Sequence, residues 1–72
     1  MNDYDFGNFI YKCRCKAGLS QAALAEYLGV SNKAVSKWET GKSKPTTNVL
    51  RKLSALFSVS VEELLRLREE RD

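Results

Sequence analysis

Apolar side chains recur along this chain at steps of three and four residues, and the pattern breaks at glycine, proline and small hydroxyl residues. In the first segment Phe6, Ile10, Cys13 and Ala17 form one stripe, with Asp3 or Asp5 available as a cap and Gly18 as a stop. A second helix is expected from Ser20, with Ala23, Leu24, Tyr27 and Leu28 facing inward and Gly29 supplying a left-handed turn. Ser31 caps a third, in which Ala34, Val35 and Trp38 form the inward stripe until Gly41 ends it. After the loop GKSKP, Thr46 or Thr47 opens a fourth helix carrying Val49, Leu50, Leu53, Leu56 and Phe57 at helical spacing. In the fifth, Ser60 and Glu63 have capping-box spacing, and Val61, Leu64 and Leu65 can reach the core. The single proline and the four glycines are thus read as punctuation between short helices. There is no asparagine-glycine hairpin turn and no sustained alternation, so the fold class is all-α.

Composition narrows this picture. At 72 residues, 43% hydrophobic and 29% charged, the chain suits one soluble domain over residues 1–72, burying roughly 60% of its unfolded surface. It has no apolar run long enough to cross a bilayer, and the acidic start MNDYDFGNFI lacks a secretory signal, so a cytoplasmic location is expected. Cys13 and Cys15 lie two apart, on nearly opposite sides of a helix, and are expected to be a core filler and a surface thiol rather than a disulfide. With no histidine and no second cysteine pair, a metal site lacks ligands. The serines lack a partnered base and no glycine-rich phosphate loop is present, so an enzyme is not expected. No cofactor is implied, and a core this small leaves little room for the roughly 300 Å³ a small-molecule site needs.

Charge is segregated. The net charge is +3, but residues 31–52 carry six basic side chains against one acidic, while residues 53–72 carry three against five. A basic middle segment suits a polyanionic partner. That segment contains the third helix, whose outward surface, opposite Val35 and Trp38, presents Asn32, Lys33, Ser36, Lys37 and Thr40. Lysine donates to guanine or phosphate, and asparagine pairs bidentately with adenine, so these residue types suit a DNA groove. Two short helices joined by a tight glycine turn, with small alanines between them, are the ingredients of a helix-turn-helix. Ser20 with Gln21, and Ser31 with Asn32, sit at helix N-termini able to bind phosphate oxygens, and Lys42 and Lys44 add charge beside them. Trp38 is read as a core anchor rather than a base-stacking platform.

From Gly18 through Leu65 the sequence resembles the Cro-like phage repressors and their bacterial relatives, the XRE family. The resemblance is carried by SQAALAEYLGVS, by VSKWETG, by the KP loop and by LRKLSALFSVSVEELL, while the first helix matches loosely. It implies a compact, lambda-repressor-like five-helix bundle whose third helix binds operator DNA in the major groove, usually as a twofold dimer on inverted repeats. It places base-reading roles on Asn32, Lys33, Ser36 and Lys37, and phosphate-contacting roles on Gln21, Ser31, Thr40, Lys42 and Lys44. It also implies an ion pair between Arg14 and Glu39. Lysines stand where some members have glutamine, which shifts affinity from base selection toward phosphate attraction. The function expected is sequence-specific double-stranded DNA binding by a transcriptional regulator, in the first instance a repressor.

The competing expectation is a helical protein-interaction module, or an antitoxin-type DNA-binding partner of another protein. Its surface would be the acidic fifth helix, VEELLRLREERD, with Leu67 as the residue whose exposure matters. Within that helix, Glu62 with Arg66 and Arg66 with Glu70 are expected as ordinary helical ion pairs.

Overall fold

Helix starts follow from the hydroxyl residues. The computed structural model describes residues 4–69, which form α1 (Tyr4–Lys16), α2 (Gln21–Leu28), α3 (Asn32–Glu39), α4 (Thr47–Phe57) and α5 (Val61–Glu69). There is no strand among the described residues. Ser20 and Ser31 accept the Ala23 and Ala34 amides at 3.0 and 3.1 Å, and Thr46 and Ser60 accept those of Val49 and Glu63 at 3.5 and 3.0 Å. Each bond satisfies one of the four amides that a helix N-terminus leaves without an internal partner. α1 begins at Tyr4, so Asp5 lies within it rather than capping it, and Asp3 lies outside the described residues.

The ends are more varied than the glycines suggest. Gly29 turns the chain at φ 76°, its amide and that of Val30 reaching back to Glu26 and Ala25, which closes α2 two residues before the Ser31 cap. α4 ends without glycine: Ser58 takes the left-handed conformation at φ 57°. Gly7 is no punctuation at all. It sits buried inside α1, where a Cβ would lie 2.5 Å from the Trp38 carbonyl oxygen and 2.7 Å from that of Glu39. Its missing side chain lets α1 seat directly on the last turn of α3.

The core collects Phe6 and Ile10 from α1, Leu24, Ala25 and Leu28 from α2, Val35 and Trp38 from α3, Leu50 and Leu53 from α4, and Leu64 from α5. α1 packs on α3 and α5, α2 on α3 and α4, and α4 on α5. The Cα radius of gyration is 10.9 Å, matching the value of about 11 Å expected for a folded chain of this length. Three apolar residues depart from the expected stripes. Tyr27 is 53% exposed and Ala25 takes its place inside, because α2 lies between α3 and α4 and its buried face centres on Leu24, Ala25 and Leu28. Ala17 is exposed because α1 stops at Lys16. Cys13 is only half-buried, beside an open groove between the end of α1 and the α4–α5 turn. Leu67 packs partly buried against the core. Arg66 pairs with Glu63 at 2.6 Å rather than with Glu62, and Glu70 lies outside the described residues.

The cysteines give a direct check on α1. Burial pushes the Cys13 thiol above its ordinary pKa, with Lys16 opposing, whereas Cys15 is exposed. Since the thiolate is the nucleophile, a small alkylating reagent near pH 8 is expected to label Cys15 well before Cys13, as read by mass spectrometry. The gap should narrow as pH rises through the Cys13 pKa. Equal rates in the folded protein would contradict this placement.

Candidate nucleic-acid interface

α3 is anchored from one side and left open on the other. Val35 and Trp38 are buried, and the helix's final residue, Glu39, turns its carboxylate into a junction of three elements. Arg14 Nε donates to Glu39 Oε2 at 2.7 Å and Arg14 Nη2 to Oε1 at 3.2 Å, a bidentate pair in which the side chains are 12% and 6% exposed. The remaining Arg14 nitrogen, Nη1, donates to the Leu19 carbonyl at 2.9 Å, and Gln21 Nε2 donates to Glu39 Oε1 at 3.0 Å. One carboxylate thus ties α3 to α1 and to the first residue of α2. The Glu39 hydrogen bond holds Arg14 above its ordinary pKa, so this cation is permanent, and its guanidinium also lies 5.2 Å from the centre of the Tyr11 ring.

On the open side, Asn32, Lys33 and Lys37 are exposed and Ser36 is half-buried. Asn32 with Ser36, and Lys33 with Lys37, are each four apart and form two adjacent rows. Gln21, Asn32, Lys33 and Ser36 line one shallow depression where the N-termini of α2 and α3 meet. The Ser31 hydroxyl accepts the Ala34 amide, which occupies a lone pair and leaves its O–H as a donor toward an outside acceptor.

Three of the expected phosphate contacts already donate within the chain, Gln21 to Glu39 as described and two more besides. The Thr40 hydroxyl donates to the Ser36 carbonyl at 3.0 Å and approaches that of Lys37 at 3.3 Å, so it closes α3 while the residue itself stays exposed. Lys44 is half-buried, its ammonium donating to the Arg68 carbonyl at 3.3 Å, whereas Lys42 is exposed with its amide bonded to the Lys37 carbonyl at 2.8 Å. A further cation escaped sequence reasoning: Lys52 donates to the Leu28 carbonyl at 3.2 Å and caps α2. No spacing rule joins residues so distant in sequence. Gly7 did carry a signal, since a glycine inside a helical pattern costs stability relative to alanine and so points to a packing constraint.

The open groove beside Cys13, lined by Phe9, Leu56, Phe57 and Val59 among others, has a volume of about 370 Å³. That exceeds the space expected from so small a core, because it is a cleft between diverging helix ends rather than an internal cavity. No group of metal-ligating side chains occurs among the described residues, and no helix there is long and apolar enough to cross a membrane.

A capped helix pair around a left-handed glycine, with a half-buried ion pair behind it and a polar, lysine-bearing face in front, defines a helix-turn-helix domain. The chain belongs to the helix-turn-helix family, whose profile matches residues 10–64. Its relatives include the SPbeta prophage-derived HTH-type transcriptional regulator YonR of Bacillus subtilis, 39% identical over 85% of this chain and 56% of the relative. The HTH-type transcriptional activator BcrR of Enterococcus faecalis is 43% identical over 85% of this chain and 30% of its own length. Repressor protein C2 of Salmonella phage P22 is 38% identical over 92% of this chain and 31% of its own. The chain therefore spans about half of the first of these relatives and under a third of the other two.

Proposed function

We propose that this chain binds double-stranded DNA sequence-specifically as the reading domain of a transcriptional regulator, with α3 in the major groove. The observation that carries the reading is the electrostatics of α3. Lys33 stands in its first turn, where no acidic residue is present, against the helix dipole, and Lys37 follows at the i,i+4 position. Like charges so spaced cost an isolated helix about 0.2–0.5 kcal/mol. A helix that accepts this cost on its outer face, while its inner face is fully packed, is built for an anionic partner.

In this reading Asn32, Lys33, Ser36 and Lys37 meet base edges. Gln21, Ser31 and Lys42 meet phosphates, with Lys44 and Thr40 supporting them from the loop and helix end. The regulator acts as a homodimer on an inverted repeat, and occupancy of the operator suffices for repression. The relatives named above include both an activator and a repressor, so the sign of regulation belongs to the promoter and to the rest of each protein.

Retention on mixed duplex DNA at graded salt tests the reading. A folded sample should bind at about 50 mM salt and lose affinity steeply by about 200 mM. Absence of any salt-dependent binding would favour an interaction module. Substitution then separates reading from clamping. Lys37→Ala is expected to change which duplex is preferred, by up to about 1–3 kcal/mol per altered contact, while Lys42→Ala should weaken all sequences alike and lower the salt slope by about 1. Identical binding profiles for the two variants would contradict this division of roles.

A further inference from the structure

We infer that Arg68, on the fifth helix and outside the helix-turn-helix, is a positioning residue for DNA binding, because it fixes the loop that carries Lys42. The inference rests on the DNA-binding reading above. The segment between Thr40 and Thr46 joins α3 to α4 without helical structure of its own. Its start is held by the Lys42 amide on the Lys37 carbonyl at 2.8 Å. Its far end is held from α5 by an exchange of two bonds: Arg68 Nη1 donates to the Pro45 carbonyl at 3.0 Å, and Lys44 Nζ donates to the Arg68 carbonyl at 3.3 Å.

The chemistry of this exchange favours placement over contact. Both acceptors in this exchange are backbone carbonyls, so each of the two bonds is directed by a fixed dipole. Lys44 bonds to a carbonyl in the last turn of α5, where the helix dipole favours a cation, and Pro45 is buried, so the loop end is clamped at a point that cannot drift toward solvent. Lys42, three residues earlier, is exposed and belongs to the same short loop, so the position of its ammonium depends on the clamp. A seven-residue connection fixed at both ends loses less freedom when a phosphate binds than one fixed only at α3.

The test uses Arg68→Met, which keeps the aliphatic stem and removes the donor, compared with wild type, Lys42→Ala and the double variant. Affinity for mixed duplex DNA is measured at several salt concentrations, with amide hydrogen exchange at residues 42–44 recorded without DNA. Arg68→Met is expected to melt within a few degrees of wild type, to exchange faster at those amides and to bind DNA about three- to tenfold more weakly. In the Lys42→Ala background the same substitution should cost less than about twofold, since the cation being placed is already gone. Unchanged exchange, unchanged affinity, or an equal penalty in both backgrounds would each overturn the assignment; the last would make Arg68 a direct contact. If wild type itself fails to bind DNA, the DNA-binding reading falls and takes the role of Arg68 with it. The exchange data would still decide separately whether the clamp exists.

Discussion

Glu39→Ala is expected to lower stability by about 3–5 kcal/mol, enough to leave the domain barely folded at 37 °C. The wild-type pair is 12% and 6% exposed, so removing the carboxylate strands a guanidinium that cannot shed its charge. The loss is larger than for an exposed pair such as Arg66–Glu63, where about 0–1 kcal/mol is normal. Geometry adds to it, because the same carboxylate also receives Gln21, and its removal frees the start of α2 together with the end of α3. Arg14→Ala should also lower stability, with the Gln21 bond to Glu39 surviving there as the Arg14 bond to the Leu19 carbonyl survives in Glu39→Ala. Chemical denaturation of the three proteins, followed by Trp38 fluorescence, measures the differences. A loss below about 1 kcal/mol for Glu39→Ala would show that the pair is effectively hydrated.

The second large effect is expected at Gly7. An alanine Cβ there meets two backbone carbonyl oxygens, at 2.5 and 2.7 Å, and neither can rotate aside as a side chain would. Restoring ordinary contact, near 3.4 Å, requires α1 and the end of α3 to part by most of an ångström, which opens the packing of Phe6 and Ile10. Overpacking of this kind costs about 1–3 kcal/mol, and the rigid obstacle places Gly7→Ala at the upper end; alanine's better helix propensity returns about 1. A net loss of about 2 kcal/mol is therefore expected, together with weaker DNA binding, because the shift displaces the helix that presents Lys33 and Lys37. Equal or greater stability would mean that α1 does not seat on α3 as described.

Both effects bear on what the sequence could reveal. The starts of α2 to α5 were legible because serine and threonine act locally, each bonding an amide three residues on, whereas that of α1 was not; the all-α class followed from spacing alone. Tyr27 was misplaced because an eight-residue helix packed on two sides has no single stripe, and periodicity assumes one. Ser58 ends α4 with no sequence signal, since a non-glycine residue in the left-handed region is selected by its surroundings. Arg14 with Glu39 came from the family resemblance and not from periodicity, because no local rule links residues 25 apart. Separations of 18, 24 and 23 residues hid the Gln21, Lys52 and Arg68 bonds in the same way. The face of α3 was readable in outline, as a polar lysine row opposite Val35 and Trp38, but how each of its neighbours uses its hydrogen bonds was not. Thr40 and Lys44 show the difference: their types suit phosphate, while each already donates to a backbone carbonyl of the chain.

On the proposed reading, the outer face of α3 reads base sequence and does not merely attract charge. Selection of bound sequences from a random duplex pool tests it most directly. Enrichment of a half-site in inverted repeat is expected, with half-site centres about one helical turn, 34–36 Å, apart. Retention of DNA through successive rounds with no sequence enriched would contradict it, leaving these lysines as a phosphate-binding surface only.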